Sequence, residues 1–271
     1  MGKNEHMTQE ERLEYLIRAL IEEGGTFAGS EMPAGTAERK RLLRALMNVR
    51  PPGAADPAFL RIQDAYLKEE LVEKGITDAQ TIAPVRGRLC LWQGDITTLR
   101  CGAIVNAANS RMLGCFVPCH GCVDNAVHTY AGIQLRQACM ERVRGLGGAL
   151  ENGRTVLTGA YNLPCEYVLH TVGPVVTGVP TEKDRTELDG CYRSCMELAN
   201  RAGIRSIAFC CISTGEFHFP NGEAARIAVA AVEDCLPGSC MERVIFNVYK
   251  KEDYDIYCKL LGAGKAVKEQ A

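Results

Sequence analysis

Within eight residues the chain carries three thiols and an imidazole: Cys115, Cys119, His120 and Cys122. Thiolate and imidazole are the donors zinc prefers. His120 and Cys122 stand two apart, so in an extended loop their side chains leave on the same side, whereas Cys119 leaves on the other. Cys115, His120 and Cys122 are therefore the expected metal ligands. Three protein ligands leave one coordination position open, the arrangement of a catalytic zinc; structural sites are normally closed by four. With Cys119 as a fourth ligand the site would be a closed knuckle. Cys119 and Cys122 alone have the spacing of a redox pair. Both alternatives stand at this level.

Three other segments combine polar groups with turn residues. Gln93-Gly94-Asp95-Ile96-Thr97 sets a carboxylate beside a glycine turn, where it can accept from an amino group or cap a helix. Asn106-Ala107-Ala108-Asn109 spaces two amides three apart; they can orient hydroxyl groups or simply make a turn. Ser213-Thr214-Gly215-Glu216-Phe217-His218-Phe219-Pro220 offers small residues ahead of a helix, a setting in which backbone N–H groups can cradle a phosphate. Phe217 and Phe219 could wall a ring. The plain alternative is a strand-to-helix turn.

These segments need a scaffold that brings them together. Strand patterns fall at Leu89–Trp92, Ala103–Ala107, Tyr167–Thr171, Ser206–Ile212 and Val244–Tyr249. Helical patterns fall at Val123–Val143, Thr186–Ala202, Gly222–Leu236 and Glu252–Leu261. Strands alternating with helices imply an α/β sheet covered on both faces, and ligands in such sheets bind beyond the carboxyl ends of the strands. All three polar segments follow a strand. Residues 1–83 read instead as a helical extension, with a capping-box spacing at Thr8 and Glu11, a second helix over Thr36–Asn48, and Asp56-Pro57 opening a third that ends at Gly75. No catalytic constellation is visible there. Residues 84–271 form the main domain.

Lys and Arg total 31 against 33 Asp and Glu, a formal charge of −2. That balance argues against nucleic acid held by phosphate contacts and against an anionic membrane surface. No stretch approaches the ~18 apolar residues of a membrane span, and the charged opening lacks a secretory h-region. Met1-Gly2 would open a myristoylation motif, but His6 stands where Ser or Thr is required. Fourteen cysteines without a secretory signal imply reduced core thiols plus a metal site, in the cytoplasm. Cys191, Cys195, Cys210, Cys211 and Cys235 fall on apolar faces as core residues.

Together, Gly94-Asp95-Ile96-Thr97, Ala103-Ile104-Val105-Asn106-Ala107-Ala108-Asn109 and the loop 213–219 resemble the macrodomain family in order and spacing, over about residues 84–262. Hydrolytic macrodomains usually follow the Asn pair with a run of glycines. Here thiols and an imidazole replace that run ahead of Val123-Asp124. This is similar to the zinc-containing branch often linked to bacterial class M sirtuins, which also has a helical N-terminus. The resemblance implies a mixed-sheet macrodomain fold and an ADP-ribose site formed by Asp95, Ile96, Asn109, Cys122, Val123, Asp124 and the backbone of Ser213, Thr214, Gly215, Glu216 and Phe217. It implies Asp95 at the adenine amine, Asn109 at the distal ribose, Asp124 and Asn109 as catalytic residues, and zinc on Cys115, His120 and Cys122. The activity implied is removal of mono-ADP-ribose from protein side chains, with O-acetyl-ADP-ribose as a side substrate and a carrier protein modified by a linked sirtuin as a partner. A non-catalytic ADP-ribose reader with a structural zinc is the rival reading. A zinc-knuckle nucleic-acid binder is a third, disfavoured by the charge balance.

Overall fold

The computed structural model describes residues 7–262; the Met1–His6 opening lies outside them. Three helices come first: α1 (Gln9–Glu22), α2 (Thr36–Val49) and α3 (Pro57–Lys74). The Thr8 and Glu11 pair forms the capping box its spacing implies, and Asp56 accepts from the Ala58 N–H. Leu16 and Ile17 of α1, Leu43 of α2 and Phe59 of α3 build a separate apolar cluster, which Ile133 joins from the main domain.

The rest of the chain runs β1 (Thr77–Asp78), β2 (Pro84–Arg86), β3 (Leu89–Gln93), β4 (Leu99–Arg100), β5 (Ala103–Ala107), α4 (Val123–Ala131), α5 (Ile133–Arg144), β6 (Thr155–Gly159), β7 (Tyr167–Thr171), α6 (Glu182–Arg201), β8 (Ser206–Phe209), α7 (Asn221–Cys235), β9 (Arg243–Val248) and α8 (Lys251–Leu261). Seven strands form one mixed sheet in the order β2-β3-β9-β8-β5-β7-β6. The five inner strands are parallel, and β2 and β6 are antiparallel edges. Helices cover both faces: α6 packs on β6 and β7, and α8 on β3 and β9, while α4 and α5 pack against β5 and β6. The inner strands are apolar because both sides are covered, with Ile104, Val105, Ile207 and Val244 wholly buried. The short pair β1 and β4 runs beside this sheet.

Some elements differ from the sequence expectation. The single helix expected over Val123–Val143 is two, broken at Gly132, whose φ is 94°. A Cβ there would lie 2.6 Å from Gln63 Nε2, so α3 reaches into the break; Gln63 also accepts from the Ile133 N–H at 3.0 Å. Strand β8 ends at Phe209 rather than Ile212, because the chain bends toward the left-handed Ser213 (φ 63°). The edge strand β6 carries too little alternation to be seen without its partner β7. The helix α6 starts four residues earlier than expected, on a Thr181/Asp184 capping box.

The helical layer docks on α4, on α5 and on the turn at Asn162. Asn48 donates to Thr129 Oγ1 at 3.0 Å, and Asp64 accepts from Asn162 at 2.7 Å and Gln134 at 2.8 Å.

Candidate functional site

A cleft of about 1160 Å³ opens at the carboxyl ends of the parallel strands. Its walls come from the exits of β3, β5, β7, β8 and β9, from the start of α4, and from Arg44 and Lys74 of the helical layer. Asp95, Ile96, Asn109, Val123, Asp124, residues 213–217 and the donors Cys115, His120 and Cys122 line this one cleft; Asn106, Cys119 and Phe219 do not.

At one end Asp95 caps the turn Ile96–Thr98. Its Oδ1 accepts from the Thr97 N–H (3.0 Å) and hydroxyl (2.6 Å), and its Oδ2 accepts from Lys74 Nζ at 2.7 Å. Capping therefore leaves one acceptor position open on Oδ2, because each carboxylate oxygen has two lone pairs. Burial pushes the Asp95 carboxyl up, but Lys74 and Thr97 outweigh it and hold it below the ordinary carboxylate range. Lys74 also sits 3.5 Å from the centroid of the Tyr130 ring, so a cation, a carboxylate and an aromatic face meet at one corner.

At the other end Asp124 occupies the first turn of α4, where a carboxylate is favoured by the helix dipole. It is buried. Its Oδ1 accepts from Asn106 Nδ2 at 2.8 Å, and its Oδ2 lies 3.4 Å from Asn109 Nδ2. Burial raises the Asp124 carboxyl to about 6, against the pull of the Asn106 hydrogen bond and the Arg136 charge. Asn106 is wholly buried on β5, and its amide nitrogen is also 3.2 Å from His170 Nδ1. His170 is held to about 3 by burial, and is neutral. His128, one turn after Asp124, has its Nε2 3.6 Å from Asp124 Oδ1 and is held well below its ordinary range by the same cause. Asn109 donates to the Gly114 carbonyl and accepts from the Arg111 N–H, so it shapes its own loop as well as facing Asp124.

Next to Asp124, with Cys122 at the N-cap of α4, lie Cys115, His120 and Cys122, their donor atoms all within 4.8 Å of one another. Cys115 Sγ is 3.5 Å from His120 Nδ1. With bonds of 2.0–2.3 Å, a tetrahedral zinc site has ligand–ligand edges of about 3.5 Å, so the donors fit zinc in type and the Cys115–His120 edge has its spacing. His120 Nε2 faces Glu216 Oε1 at 3.5 Å, the arrangement in which a carboxylate orients an imidazole whose other nitrogen ligates. Burial pushes the Cys122 thiol up to about 12, opposed by the Asn125 N–H on its sulfur and reinforced by Cys115 and Asp124 nearby. Such a thiol ionises when a bound cation offsets the burial. Cys119 takes φ 55° and turns its sulfur away, to the Arg41 carbonyl at 3.4 Å.

The loop after β8 closes the cleft. Ser213 is left-handed and buried, and its hydroxyl finds no partner among the described residues. A Cβ at Gly173 would sit 2.0 Å from that hydroxyl and 2.9 Å from Ile212 Cγ2, so a larger residue there would push both side chains aside. The Gly215 and Phe217 carbonyls accept from the His218 and Val176 N–H groups, and the Thr214 N–H lies 3.5 Å from the Cys211 carbonyl, so the loop is held by its own backbone bonds just ahead of the helix start at Asn221. Phe217 lines the cleft, but Phe219 is 1% exposed and belongs to the core, so only one of the two rings can wall a ligand. Glu216 points its carboxylate at His120, tying this loop to the thiol cluster.

Lys74, Arg44, Tyr130 and Asn125 also belong to the site or its support, and none of them stood out in the sequence. Lys74 and Arg44 reach the cleft only through docking of the helical layer, which leaves no local signal. Asn125 could have been suspected from its place immediately after Val123-Asp124. No helix among the described residues is long and apolar enough to cross a membrane.

The Macro domain family matches residues 105–228 of the chain. A protein-ADP-ribose hydrolase from Treponema medium is 49% identical over 260 residues, covering 94% of this chain and 100% of its own length. A protein-ADP-ribose hydrolase from Staphylococcus aureus (strain MRSA252) is 43% identical over 249 residues, covering 91% of this chain and 93% of its own. Among solved structures, the Trypanosoma brucei macrodomain in complex with ADP-ribose superimposes with a TM-score of 0.63 at 32% identity, covering 80% of this chain and 95% of that one.

Proposed function

The chain belongs to the macrodomain family, and from that premise we propose that it is a protein-ADP-ribose hydrolase that uses zinc to release mono-ADP-ribose from a modified side chain. The hydrolase class rests on the relatives that bear that name and match nearly the whole chain. The observation that carries the mechanistic reading is the convergence on one cleft of Asp95, the loop 213–217, the Cys115–His120–Cys122 donors and the buried Asp124.

The residues divide the work. Asp95 accepts the exocyclic amine of the adenine on the one Oδ2 lone pair that Lys74 leaves free, and the Ile96 backbone assists. The N–H side of the loop 213–217 and the Ser213 hydroxyl hold the diphosphate. Asn109 and Asp124 fix the hydroxyl geometry of the distal ribose, while Cys122 and Val123 form the wall beside it. Asp124 orients the ribose or the attacking water and takes its proton. Its buried position, with Asn106 and Asn109 donating to it, keeps the carboxylate fixed in one orientation. Cys115, His120 and Cys122 would hold zinc, which would supply Lewis acidity beside the distal ribose.

An ester-linked carboxylate is the easiest leaving group because it departs as a stabilised anion, and O-acetyl-ADP-ribose carries the same bond. A carrier protein modified by a linked sirtuin is the macromolecular substrate this reading favours. The free state of all fourteen cysteines supports a reducing, cytoplasmic setting. The residues 1–83 are read as a helical extension that completes the cleft of the 84–271 domain through Arg44 and Lys74.

The test is release of ADP-ribose from a mono-ADP-ribosylated protein, together with metal analysis of the purified chain. Release that chelation abolishes is the expected result. Tight binding of ADP-ribose without release would instead make the chain a reader with a structural zinc.

A further inference from the structure

We propose that Arg44 and Asn125 are positioning residues that hold the three donors Cys115, His120 and Cys122 in ligating geometry, which makes the helical layer a working part of the metal site. The inference rests on the zinc reading above.

The donor loop makes few backbone bonds of its own; His120 N–H to the Val117 carbonyl at 3.2 Å is one. Two sulfurs and an imidazole nitrogen within 4.8 Å of one another need to be held from outside. Asn125 is the hub. It is wholly buried, and its side-chain amide donates to the Val117 carbonyl at 3.0 Å and lies 3.5 Å from the Cys115 carbonyl. Its backbone N–H points at Cys122 Sγ at 3.4 Å, a hydrogen bond that favours the thiolate. Its Oδ1 is taken by Arg44, with Nε at 3.2 Å and one terminal nitrogen at 2.7 Å. The same terminal nitrogen donates to the His120 carbonyl at 2.9 Å. All three donors are thereby tied to one two-residue unit.

Arg44 comes from α2, 76 residues before His120. A planar guanidinium can serve an amide oxygen and a carbonyl at fixed angles; an ammonium is a single point. The neighbouring turn is pinned from the same helix: Asn48 Oδ1 accepts from the Cys119 N–H at 2.8 Å. That contact, with the sulfur bond to Arg41, explains why Cys119 faces the layer and not the cleft. Contacts that orient metal ligands are typically worth about 10–100-fold in metal affinity.

The experiment uses the full chain and the variants Arg44→Met and Arg44→Lys. Zinc affinity is measured by competition with a chromophoric chelator, the ligand field by the visible spectrum of the cobalt-substituted protein, and melting is followed on the metal-free form. Arg44→Met is expected to bind zinc roughly 10–100-fold more weakly, with an altered cobalt spectrum and a metal-free melt close to that of the wild type. Arg44→Lys should fall between the two. Equal zinc affinity in Arg44→Met and wild type would overturn the proposal. So would a collapsed metal-free melt in both variants with an unchanged cobalt spectrum, which would make Arg44 a docking residue only. A wild type that takes up no zinc would instead sink the metal reading itself, and the inference with it.

Discussion

Replacing Asp124 by Asn separates chemistry from binding. The substitution is isosteric, and the new amide oxygen can still accept from Asn106 Nδ2, now at 2.8 Å from Asp124 Oδ1. The amide nitrogen then faces Asn109 Nδ2, 3.4 Å from the present Oδ2, so one weak hydrogen bond is exchanged for a donor–donor contact. That loss is worth about 0.5–1.5 kcal/mol. Toward the ribose hydroxyls a neutral acceptor replaces a charged one, a difference of about 1–1.5 kcal/mol, so ADP-ribose binding should weaken roughly 5–12-fold. What the variant cannot do is accept a proton, and loss of a positioned general base typically costs about 10²–10⁴ in rate. Only interactions stronger in the transition state than in the ground state accelerate the step, so turnover should fall far more than affinity. The assay is single-turnover release from a mono-ADP-ribosylated protein, run beside calorimetry on free ADP-ribose and a zinc determination. Zinc should stay bound, since Asp124 is not among the three ligands. Parallel losses of rate and affinity would make Asp124 a ligand-binding residue, and undiminished release would refute the reasoning outright.

Other consequences can be measured alongside. Purified protein should hold about one zinc per chain by the three-ligand reading; Cys115→Ala, His120→Ala and Cys122→Ala should each lose it and Cys119→Ala should keep it, so metal lost only in the last variant would mean a different ligand set. Asp95→Ala should weaken ADP-ribose binding by roughly 1.5–3 kcal/mol, the worth of a charge-assisted hydrogen bond, without loss of metal; unchanged calorimetry would reduce Asp95 to a cap. Because Lys74 and Thr97 hold the Asp95 carboxyl below its ordinary range, its ionised form should stabilise the fold fully above the unfolded pKa of ~3.9, and that stability should fade as the pH drops through the lower folded value. The melting difference between wild type and Asp95→Asn should therefore be flat at neutral pH and shrink in acid; a difference that grows on acidification would contradict the sign.

Much of this protein was written locally in its sequence. The donors Cys115, His120 and Cys122 lie within eight residues, so short-range geometry limits where their side chains can point. Asp95 and Asn109 stand at strand exits because a run of apolar residues between turn residues can do little but enter a sheet buried on both sides. The capping box of α1 and the Asp56-Pro57 start of α3 are likewise satisfied within one turn of helix. What the tertiary structure decided was everything that depends on residues far apart in the chain. The break at Gly132 follows from the approach of Gln63 across α3, and the edge strand β6 exists because β7 offers it hydrogen-bonding partners. Phe217 and Phe219 look alike in sequence, yet one lines the cleft and the other is buried. Arg44 and Lys74 were unreadable as partners of the site for the same reason, as was the contact of the Glu216 carboxylate with His120. A guanidinium, an ammonium or a carboxylate on a surface helix or loop looks the same whether it faces water or a cleft, and only the docking of α2 and α3 onto α4 brings Arg44 to the His120 carbonyl and Lys74 to Asp95.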